Sequence, residues 1–202
     1  MMLFGDPIIP GLELREGVID EAEESRLIAH VERLGLSPFR FHGWTGKRLT
    51  RSFGWRYDFD DASFTEAEPI PEWLDPLRRQ ATALAGLDPD DFAHALVARY
   101  DPGAGIGWHR DRPQFDKVVG ISLGAATVMR FRQRTLSGFR RASVRLEPRS
   151  AYLLSGEVRE QWEHSIAPHQ ALRFSITFRS LSERGLRSRS APPPTSALLS
   201  AR

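Results

Sequence analysis

One short stretch of the chain combines a glycine-rich turn with two side chains that are suited to binding a metal ion. It runs from Arg99 to Asp111 and reads RYDPGAGIGWHRD. His109 and Asp111 lie two residues apart, and on an extended backbone such side chains point to the same face. An imidazole nitrogen and a carboxylate oxygen on one face can hold a single metal ion. This stretch therefore predicts part of a metal site.

A third ligand must come from elsewhere in the chain, which contains no cysteine. That composition excludes thiolate ligands, disulfides and cysteine nucleophiles. The remaining candidates are His30, His42, His94, His164 and His169. We favour His164, because a histidine on a later strand completes a face of two histidines and one carboxylate that leaves coordination positions open. Open positions suit an oxygen-activating Fe(II) ion, and zinc is the alternative occupant, although a purely structural zinc site is usually closed by four ligands.

The segment from residue 172 to residue 179, LRFSITFR, carries a second set of useful side chains. Polar and apolar residues alternate along it, so the polar ones share one face of a strand. These polar residues are Arg173, Ser175, Thr177 and Arg179. Two arginines that point into a core need an anionic ligand that they can bind bidentately. Beside a metal site, such a ligand fits a dicarboxylate such as 2-oxoglutarate, whereas an outward-facing polar edge is the alternative interpretation.

Residues 37–60 form the most basic and aromatic part of the chain. Aromatic faces can stack on nucleobases while cationic side chains hold phosphates. We therefore interpret this segment as a substrate-facing lid. The alternative is a β-hairpin whose aromatic side chains face the core and whose arginines face water. The residues that we expect to contact substrate are Trp44, Lys47, Arg48, Arg51, Trp55 and Tyr57.

Two helices and a series of short strands must position these groups. Asp20, as an N-cap, and apolar residues at helical spacing predict a helix over 20–35. Pro69 and Pro71 precede a second predicted helix, about 71–86, which Gly86 would close. The predicted strands are 92–100, 117–123, 127–132, 143–146, 150–154 and 172–179. Many short strands of this kind are typical of a β-sandwich or barrel.

The composition indicates one globular domain. The chain has 202 residues, of which 41% are hydrophobic and 27% charged. The basic residues are nearly all arginine, which prefers planar anions such as carboxylates and phosphates. No signal peptide or membrane-spanning run is apparent, so we expect a cytoplasmic protein without a membrane partner, and a monomer. The last residues turn to Ser, Arg and Pro, which predicts a domain over 1–184 and a disordered tail over 185–202.

Together these residues resemble the AlkB family of Fe(II)- and 2-oxoglutarate-dependent dioxygenases. A weaker similarity reaches back to residues 41–44 and 53–54, where the family carries its nucleotide-recognition lid. The spacing of 53 residues between Asp111 and His164 also suits the family. The matching motifs are Tyr100-x-x-Gly103-x-x-Ile106-x-x-His109-x-Asp111, Ser122-Leu123-Gly124, Met129-Arg130-Phe131, Trp162-x-His164 and Arg173-x-Ser175-x-Thr177-x-Arg179.

The resemblance implies a mostly β, α+β fold, a double-stranded β-helix or jelly-roll with flanking helices. It implies that His109, Asp111 and His164 ligate Fe(II). The residues implied in binding 2-oxoglutarate are Tyr100, Arg173, Ser175, Thr177 and Arg179. Such an enzyme uses O2 to hydroxylate an N-methyl group on an alkylated base of DNA or RNA, releasing formaldehyde, succinate and CO2. The base would be single-stranded or flipped out of its stack.

Two other functions remain open from the sequence. One is a dioxygenase of the same chemistry that acts on a protein side chain or a small molecule, with residues 37–60 as a lid. The other is a non-catalytic nucleic-acid-binding module. Three positions also depart from the family pattern. The family usually has Asn at the position of Ala98 and often at that of Ser175, and Pro113 stands where some members carry an acidic residue that reads the damaged base. Ala98 predicts the loss of one hydrogen bond to the co-substrate.

Overall fold

The structure, a computed structural model, describes residues 9–41, 44–57 and 63–190. The helices of this part are α1 (Glu21–Arg33), α2 (Asp75–Ala85), α3 (Gly156–Gln161) and α4 (Glu183–Ser190). The strands are β1 (Leu12–Arg15), β2 (Ser37–Phe41), β3 (Trp44–Tyr57), β4 (Phe64–Glu66), β5 (Phe92–Tyr100), β6 (Ile106–His109), β7 (Phe115–Gly124), β8 (Thr127–Thr135), β9 (Gly138–Leu146), β10 (Ser150–Leu154), β11 (Glu163–Ile166) and β12 (Arg173–Leu181). None of the described helices is long and apolar enough to span a membrane.

The strands form two antiparallel sheets. In the described residues the large sheet has the order β1-β10-β7-β12-β5-β3-β2, with β4 beside β3, and the small sheet has the order β6-β11-β8-β9. Strands that are distant in sequence lie side by side, as in a jelly-roll. The predicted jelly-roll with flanking helices is confirmed.

Each predicted helix forms close to its expected bounds, for the expected reasons. The Asp20 side chain accepts a hydrogen bond from the Glu23 backbone N–H at 2.7 Å and so caps α1. Gly86 ends α2 in the left-handed conformation, at φ 61°. The apolar faces of both helices pack on the outer side of the large sheet, where they contact Phe174, Ile176 and Phe178 of β12. These three residues are the apolar face predicted for that strand.

The opposite face of β12 points towards the small sheet. A second core cluster lies between the sheets and includes Met129 and Phe131 from β8 and Tyr152 and Leu154 from β10. This inter-sheet space also receives the polar side chains of β12, as the alternation in its sequence predicts. The fold therefore brings polar groups from both sheets into one interior space.

The prediction of an unstructured tail from residue 185 is wrong for its first residues. Helix α4 extends to Ser190, and Gly185 is buried against the backbone of Gln114. Ser182 fixes the start of this helix, because its hydroxyl donates to the carbonyl of Pro113 and accepts from the N–H of Gly185. Tertiary contacts thus order a segment with little apolar content. Residues 191–202 of the predicted tail lie outside the described residues.

Candidate active site

A pocket between the two sheets contains most of the residues singled out in the sequence. Its lining includes all three predicted metal ligands, His109, Asp111 and His164. It also includes Arg48, Tyr100, Arg173, Ser175, Thr177 and Arg179. Strand pairing produces this convergence, because β11 places His164 directly opposite His109 on β6. The large sheet supplies the arginines from the other side.

The three predicted ligands are close neighbours. The ring centroids of His109 and His164 lie 4.3 Å apart, and Nε2 of His164 is 3.7 Å from Oδ2 of Asp111. That oxygen is buried and has no hydrogen-bond partner. Nδ1 of His109 lies 2.9 Å from the carbonyl oxygen of Gly107, and donation to that oxygen leaves the lone pair on Nε2. Two imidazoles and one carboxylate are thus available as ligands.

The protonation states of these groups suit metal binding. Burial lowers the pKa of His164 to about 3 and also lowers the pKa of His109, so both rings are neutral at pH 7. Burial works to raise the pKa of Asp111, but the Arg179 guanidinium and the neighbouring groups outweigh it and hold the pKa well below its usual range. Metal ligands must be deprotonated, and here all three are. The donor set of two neutral nitrogens and one anionic oxygen fits Fe(II).

The donor atoms are nevertheless not gathered around one point. Across residues 9–41, 44–57 and 63–190, no three histidine, aspartate or glutamate side chains form a ready ligand cluster. Asp111 accepts a hydrogen bond from Nε of Arg179 at 2.7 Å, through Oδ1. Because Arg179 occupies Oδ1, the unpartnered Oδ2 is the oxygen of Asp111 that is available to a metal ion.

Arg173 is the most unusual residue of the pocket, because its charge is only 1% exposed. Its Nη2 donates to the hydroxyl of Ser122 at 3.2 Å, and its guanidinium lies 4.8 Å from the ring centroid of Tyr100. Its Nε and Nη1 are buried and have no hydrogen-bond partner. A buried cation with unpaired donors is costly. These donors fit a carboxylate, as the sequence predicts for a 2-oxoglutarate site.

Arg48 is placed differently from the exposed substrate contact that the sequence predicts. It is 8% exposed and lines the pocket, with its guanidinium 4.5 Å from the ring centroid of Phe39 and 6.0 Å from that of Tyr100. Burial works to raise the pKa of Tyr100, but Arg48 and Arg173 lower it overall. The pocket therefore contains a third guanidinium, on the same side as Arg173.

The rest of the predicted lid is a hairpin within the large sheet. Lys47 is exposed, whereas Arg51 donates to Glu68 at 2.7 Å. The ring of Trp55 packs 5.4 Å from that of Phe64, and the ring of Tyr57 lies 4.4 Å from the guanidinium of Arg112. The side chain of Trp44 and residues 42–43 and 58–60 of the segment lie outside the described residues. The segment thus forms the β-hairpin of the alternative interpretation, Arg48 of this hairpin lines the pocket, and the substrate-facing role of the segment stays a prediction.

Sequence reasoning considered His94 only as an alternative metal ligand and missed its contact with Arg179. His94 is the direct cross-strand partner of Arg179, and its Nδ1 lies 3.3 Å from Nη1 of that arginine. Burial, followed by the charge of Arg179, lowers the pKa of His94 well below its usual value. The neutral ring can therefore accept a hydrogen bond from the arginine. Only the pairing of β5 with β12 reveals this contact, and the sequence carries no signal of that register.

Comparison with known proteins identifies the family of the chain. A sequence model described as the 2OG-Fe(II) oxygenase superfamily matches residues 33–179. The chain is 28% identical over 171 residues to the tRNA (carboxymethyluridine(34)-5-O)-methyltransferase ALKBH8 of Mus musculus, a match that covers 80% of this chain and 25% of that protein. It is 29% identical over 158 residues to the alpha-ketoglutarate-dependent dioxygenase AlkB of Salmonella typhimurium, which covers 70% of this chain and 68% of that protein.

The fold has a counterpart among solved structures. It matches the structure of OsALKBH1 with a TM-score of 0.67, at 17% sequence identity, over 85% of this chain and 97% of that one. At this identity the match supports the fold alone. The chain spans between 20% and 59% of the length of several curated relatives that it matches.

Proposed function

Because this chain belongs to the 2OG-Fe(II) oxygenase superfamily and is an AlkB-like enzyme, we propose that it oxidises N-alkyl groups on the bases of nucleic acids. The enzymes of this family require Fe(II), 2-oxoglutarate and O2. In the proposed reaction, one oxygen atom of O2 hydroxylates the N-methyl carbon and the other enters succinate as 2-oxoglutarate loses CO2. The hydroxymethyl group then leaves the nitrogen as formaldehyde.

The proposed metal ligands are His109, Asp111 and His164. Fe(II) bound there would supply the oxidising power of the reaction. The three side chains would hold the ion between the sheets, and the apolar residues of the second core cluster would keep bulk water away from it. Support comes from the two neutral imidazoles and the unpartnered Oδ2 of Asp111.

The proposed co-substrate site lies along β12, and one observation carries the proposal. The buried Arg173 has two donors without partners beside the three proposed metal ligands. The distal carboxylate of 2-oxoglutarate would accept from those donors, with the hydroxyl of Tyr100 nearby. Arg48 would supply a further donor. This chain has Ala98 where the family usually has an asparagine, so the donor of that asparagine is absent. Ser175, Thr177 and Arg179 line the same wall.

Nucleic acid is the substrate class that the exposed residues favour. Lys47 is exposed, and Trp55 and Tyr57 are half-buried on the same hairpin, which suits phosphate contacts and base stacking. The curated relatives include a protein named as a tRNA methyltransferase and one named AlkB. Oxidation of a protein side chain or a small molecule is the competing function. It would not require the basic and aromatic side chains of this hairpin to lie at the surface.

The test is turnover on defined substrates. The purified protein with Fe(II), 2-oxoglutarate and O2 is offered N-methylated single-stranded DNA, single-stranded RNA and tRNA, and demethylated product is measured by mass spectrometry together with succinate and formaldehyde. We expect equal amounts of demethylated base, succinate and formaldehyde, and no product from the His164→Ala variant. Turnover of a methylated peptide or small molecule, with every nucleic acid left unchanged, would reassign the substrate class.

A further inference from the structure

The face of the small sheet that points away from the pocket is covered by arginines. Met129 and Phe131 of β8 and Val144 and Leu146 of β9 are buried in the core. The residues that alternate with them therefore point outwards. These include Arg130, Arg132, Arg134, Arg141 and Arg145.

Acidic groups neutralise only part of this charge. Arg132 pairs with Glu163 at 2.6 Å, and Arg145 pairs with Glu147. Arg130 bonds a hydroxyl, that of Ser165, at 3.2 Å. For Arg134 and Arg141, no carboxylate of the described residues lies within ion-pair distance. Among the described residues, three guanidinium groups on this sheet face, those of Arg130, Arg134 and Arg141, thus have no carboxylate partner.

Two of these charges lie opposite each other on neighbouring strands. Arg132 and Arg141 are direct partners in the β8–β9 register, so two positive side chains face each other across the strands. Like charges in such a pair repel, and the ion pair of Arg132 with Glu163 offsets part of that repulsion. A bound anion between them would convert this repulsion into attraction.

Aromatic rings hold the arginines in place. The ring of Trp108 lies 4.5 Å from the guanidinium of Arg132 and 5.2 Å from that of Arg130. Phe139, 37% exposed, lies 5.5 Å from the guanidinium of Arg141. A guanidinium stacked flat on a ring keeps its N–H edge free for an anion. A groove lined by Trp108, Arg130, Arg141 and Ser143 runs between them.

We propose that this surface, the arginine face (Trp108, Arg130, Arg132, Arg134 and Arg141), binds the phosphate backbone of a nucleic acid. The proposal rests on the proposed function for the identity of the substrate polymer, and it adds a second contact outside the pocket. Alternating guanidinium groups and aromatic rings are the pattern that binds nucleic-acid strands. The face thereby supplies affinity that does not depend on the modified base.

The arginine face lies on the reverse side of the strands that carry the proposed metal ligands. Trp108 precedes His109 on β6, and Glu163 precedes His164 on β11, so successive side chains point to opposite faces. In the described residues β6 is an edge strand of the small sheet, and the path that we propose for the polynucleotide runs around this edge from the arginine face to the pocket. A sheet and its side chains are about 10 Å thick, so this path needs only a few nucleotides.

The experiment measures binding without catalysis. Fluorescence anisotropy gives the Kd of an unmodified single-stranded oligonucleotide, at several salt concentrations and without metal or 2-oxoglutarate. The test variant is Arg134→Ser/Arg141→Ser, and the matched control is Arg26→Ser/Arg79→Ser, which removes two exposed arginines from α1 and α2. We expect the test variant to raise Kd about tenfold and to reduce the slope of log K against log salt by about 1.4, and the control to change neither.

An unchanged Kd and salt slope in the test variant, or an equal loss in the control, would overturn the proposal. Binding to vesicles of anionic lipid without binding to the oligonucleotide would also overturn it. Thermal unfolding of both variants checks that each is folded. The proposed function can fail separately. A protein that binds the oligonucleotide through this face but oxidises none of the methylated nucleic acids would support the binding role of the arginine face and contradict the demethylase function.

Discussion

Nε of Arg179 donates to Oδ1 of Asp111 at 2.7 Å, so a guanidinium on β12 holds a carboxylate that follows β6. The two side chains come from different sheets and are only 12% and 6% exposed. One arginine thus joins the wall proposed for the co-substrate to the residues proposed for the metal. Loading of one site is therefore expected to affect the other, because both depend on the same side chain.

Replacing Arg179 tests that connection. In Arg179→Gln the carboxylate of Asp111 loses its charged partner and its fixed orientation, so we expect metal affinity to fall about 10- to 100-fold. Quenching of tryptophan fluorescence by Mn(II), without 2-oxoglutarate, gives the affinity. The control is Arg99→Gln, which removes a half-exposed ion pair with Asp101 outside the pocket. Equal metal affinity in Arg179→Gln and the unmodified protein would contradict this role.

Substitutions at Arg48 and at its neighbour Lys47 test the proposed co-substrate site and the proposed nucleic-acid surface independently. Arg48 is buried beside Tyr100, whereas Lys47 is exposed. We expect Arg48→Gln to raise the KM for 2-oxoglutarate about tenfold or more and to leave oligonucleotide affinity unchanged. Lys47→Gln should leave the KM for 2-oxoglutarate unchanged and modestly raise the Kd of the oligonucleotide. Weaker oligonucleotide binding and an unchanged KM for 2-oxoglutarate in Arg48→Gln would show that Arg48 contacts the nucleic acid and not the co-substrate.

These two neighbours also show where sequence reasoning reached its limit. The helices were predictable because a 3.6-residue apolar period and the capping residues Asp20 and Gly86 are local signals. The two faces of β12 were predictable because polar and apolar residues alternate strictly. In β3, basic residues occupy both faces, so only its pairing with β5 determines that Arg48 points into the pocket.

Other differences have the same origin in tertiary contacts. Strand β9 begins at Gly138 instead of the predicted residue 143, because its first half carries Arg140 and Arg141, which pack on aromatic rings and give no apolar signal. Helix α4 forms on contacts with Gln114 and Pro113 that its own composition does not indicate. The contact between His94 and Arg179 likewise depends on a register between distant strands.

Arg173 gives a prediction in which stability and ligand binding change in opposite directions. Its unpaired buried charge is costly without an anion, so Arg173→Met should raise the free energy of unfolding of the ligand-free protein by about 1 to 4 kcal/mol. The same substitution should abolish the rise in Tm that 2-oxoglutarate and Mn(II) cause in the unmodified protein. Thermal and urea unfolding with and without ligands measure both effects.

Arg159 is the matched control for that substitution. It is also a buried arginine, but its Nη2 donates to the carbonyl oxygens of Arg112 and Phe115 at 2.5 and 2.6 Å. Because these acceptors would lose their donor, Arg159→Met should destabilise the protein. A destabilised Arg173→Met that still gains Tm with 2-oxoglutarate would show that Arg173 has a structural role only.

Tyr152 is buried between the sheets in a space that a glycine provides. It is the cross-strand partner of Gly120, and a Cβ at that position would overlap its ring. Burial raises the pKa of Tyr152 to about 12, from 10.0. The folded protein therefore holds this phenolic proton more tightly than the unfolded chain does.

This shift predicts that the free energy of unfolding falls at alkaline pH, and that the Tyr152→Phe variant lacks this part of the fall. Since the folded-state pKa is raised, the contribution of Tyr152 is complete below about pH 10 and is lost as the pH rises from 10 to about 12. Between pH 8 and pH 11 the free energy of unfolding should fall by on the order of 1 kcal/mol more in the unmodified protein than in Tyr152→Phe. Urea unfolding of both proteins at the two pH values measures this difference. An equal fall in both proteins would show that the Tyr152 hydroxyl stays as accessible to ionisation in the folded state as in the unfolded chain.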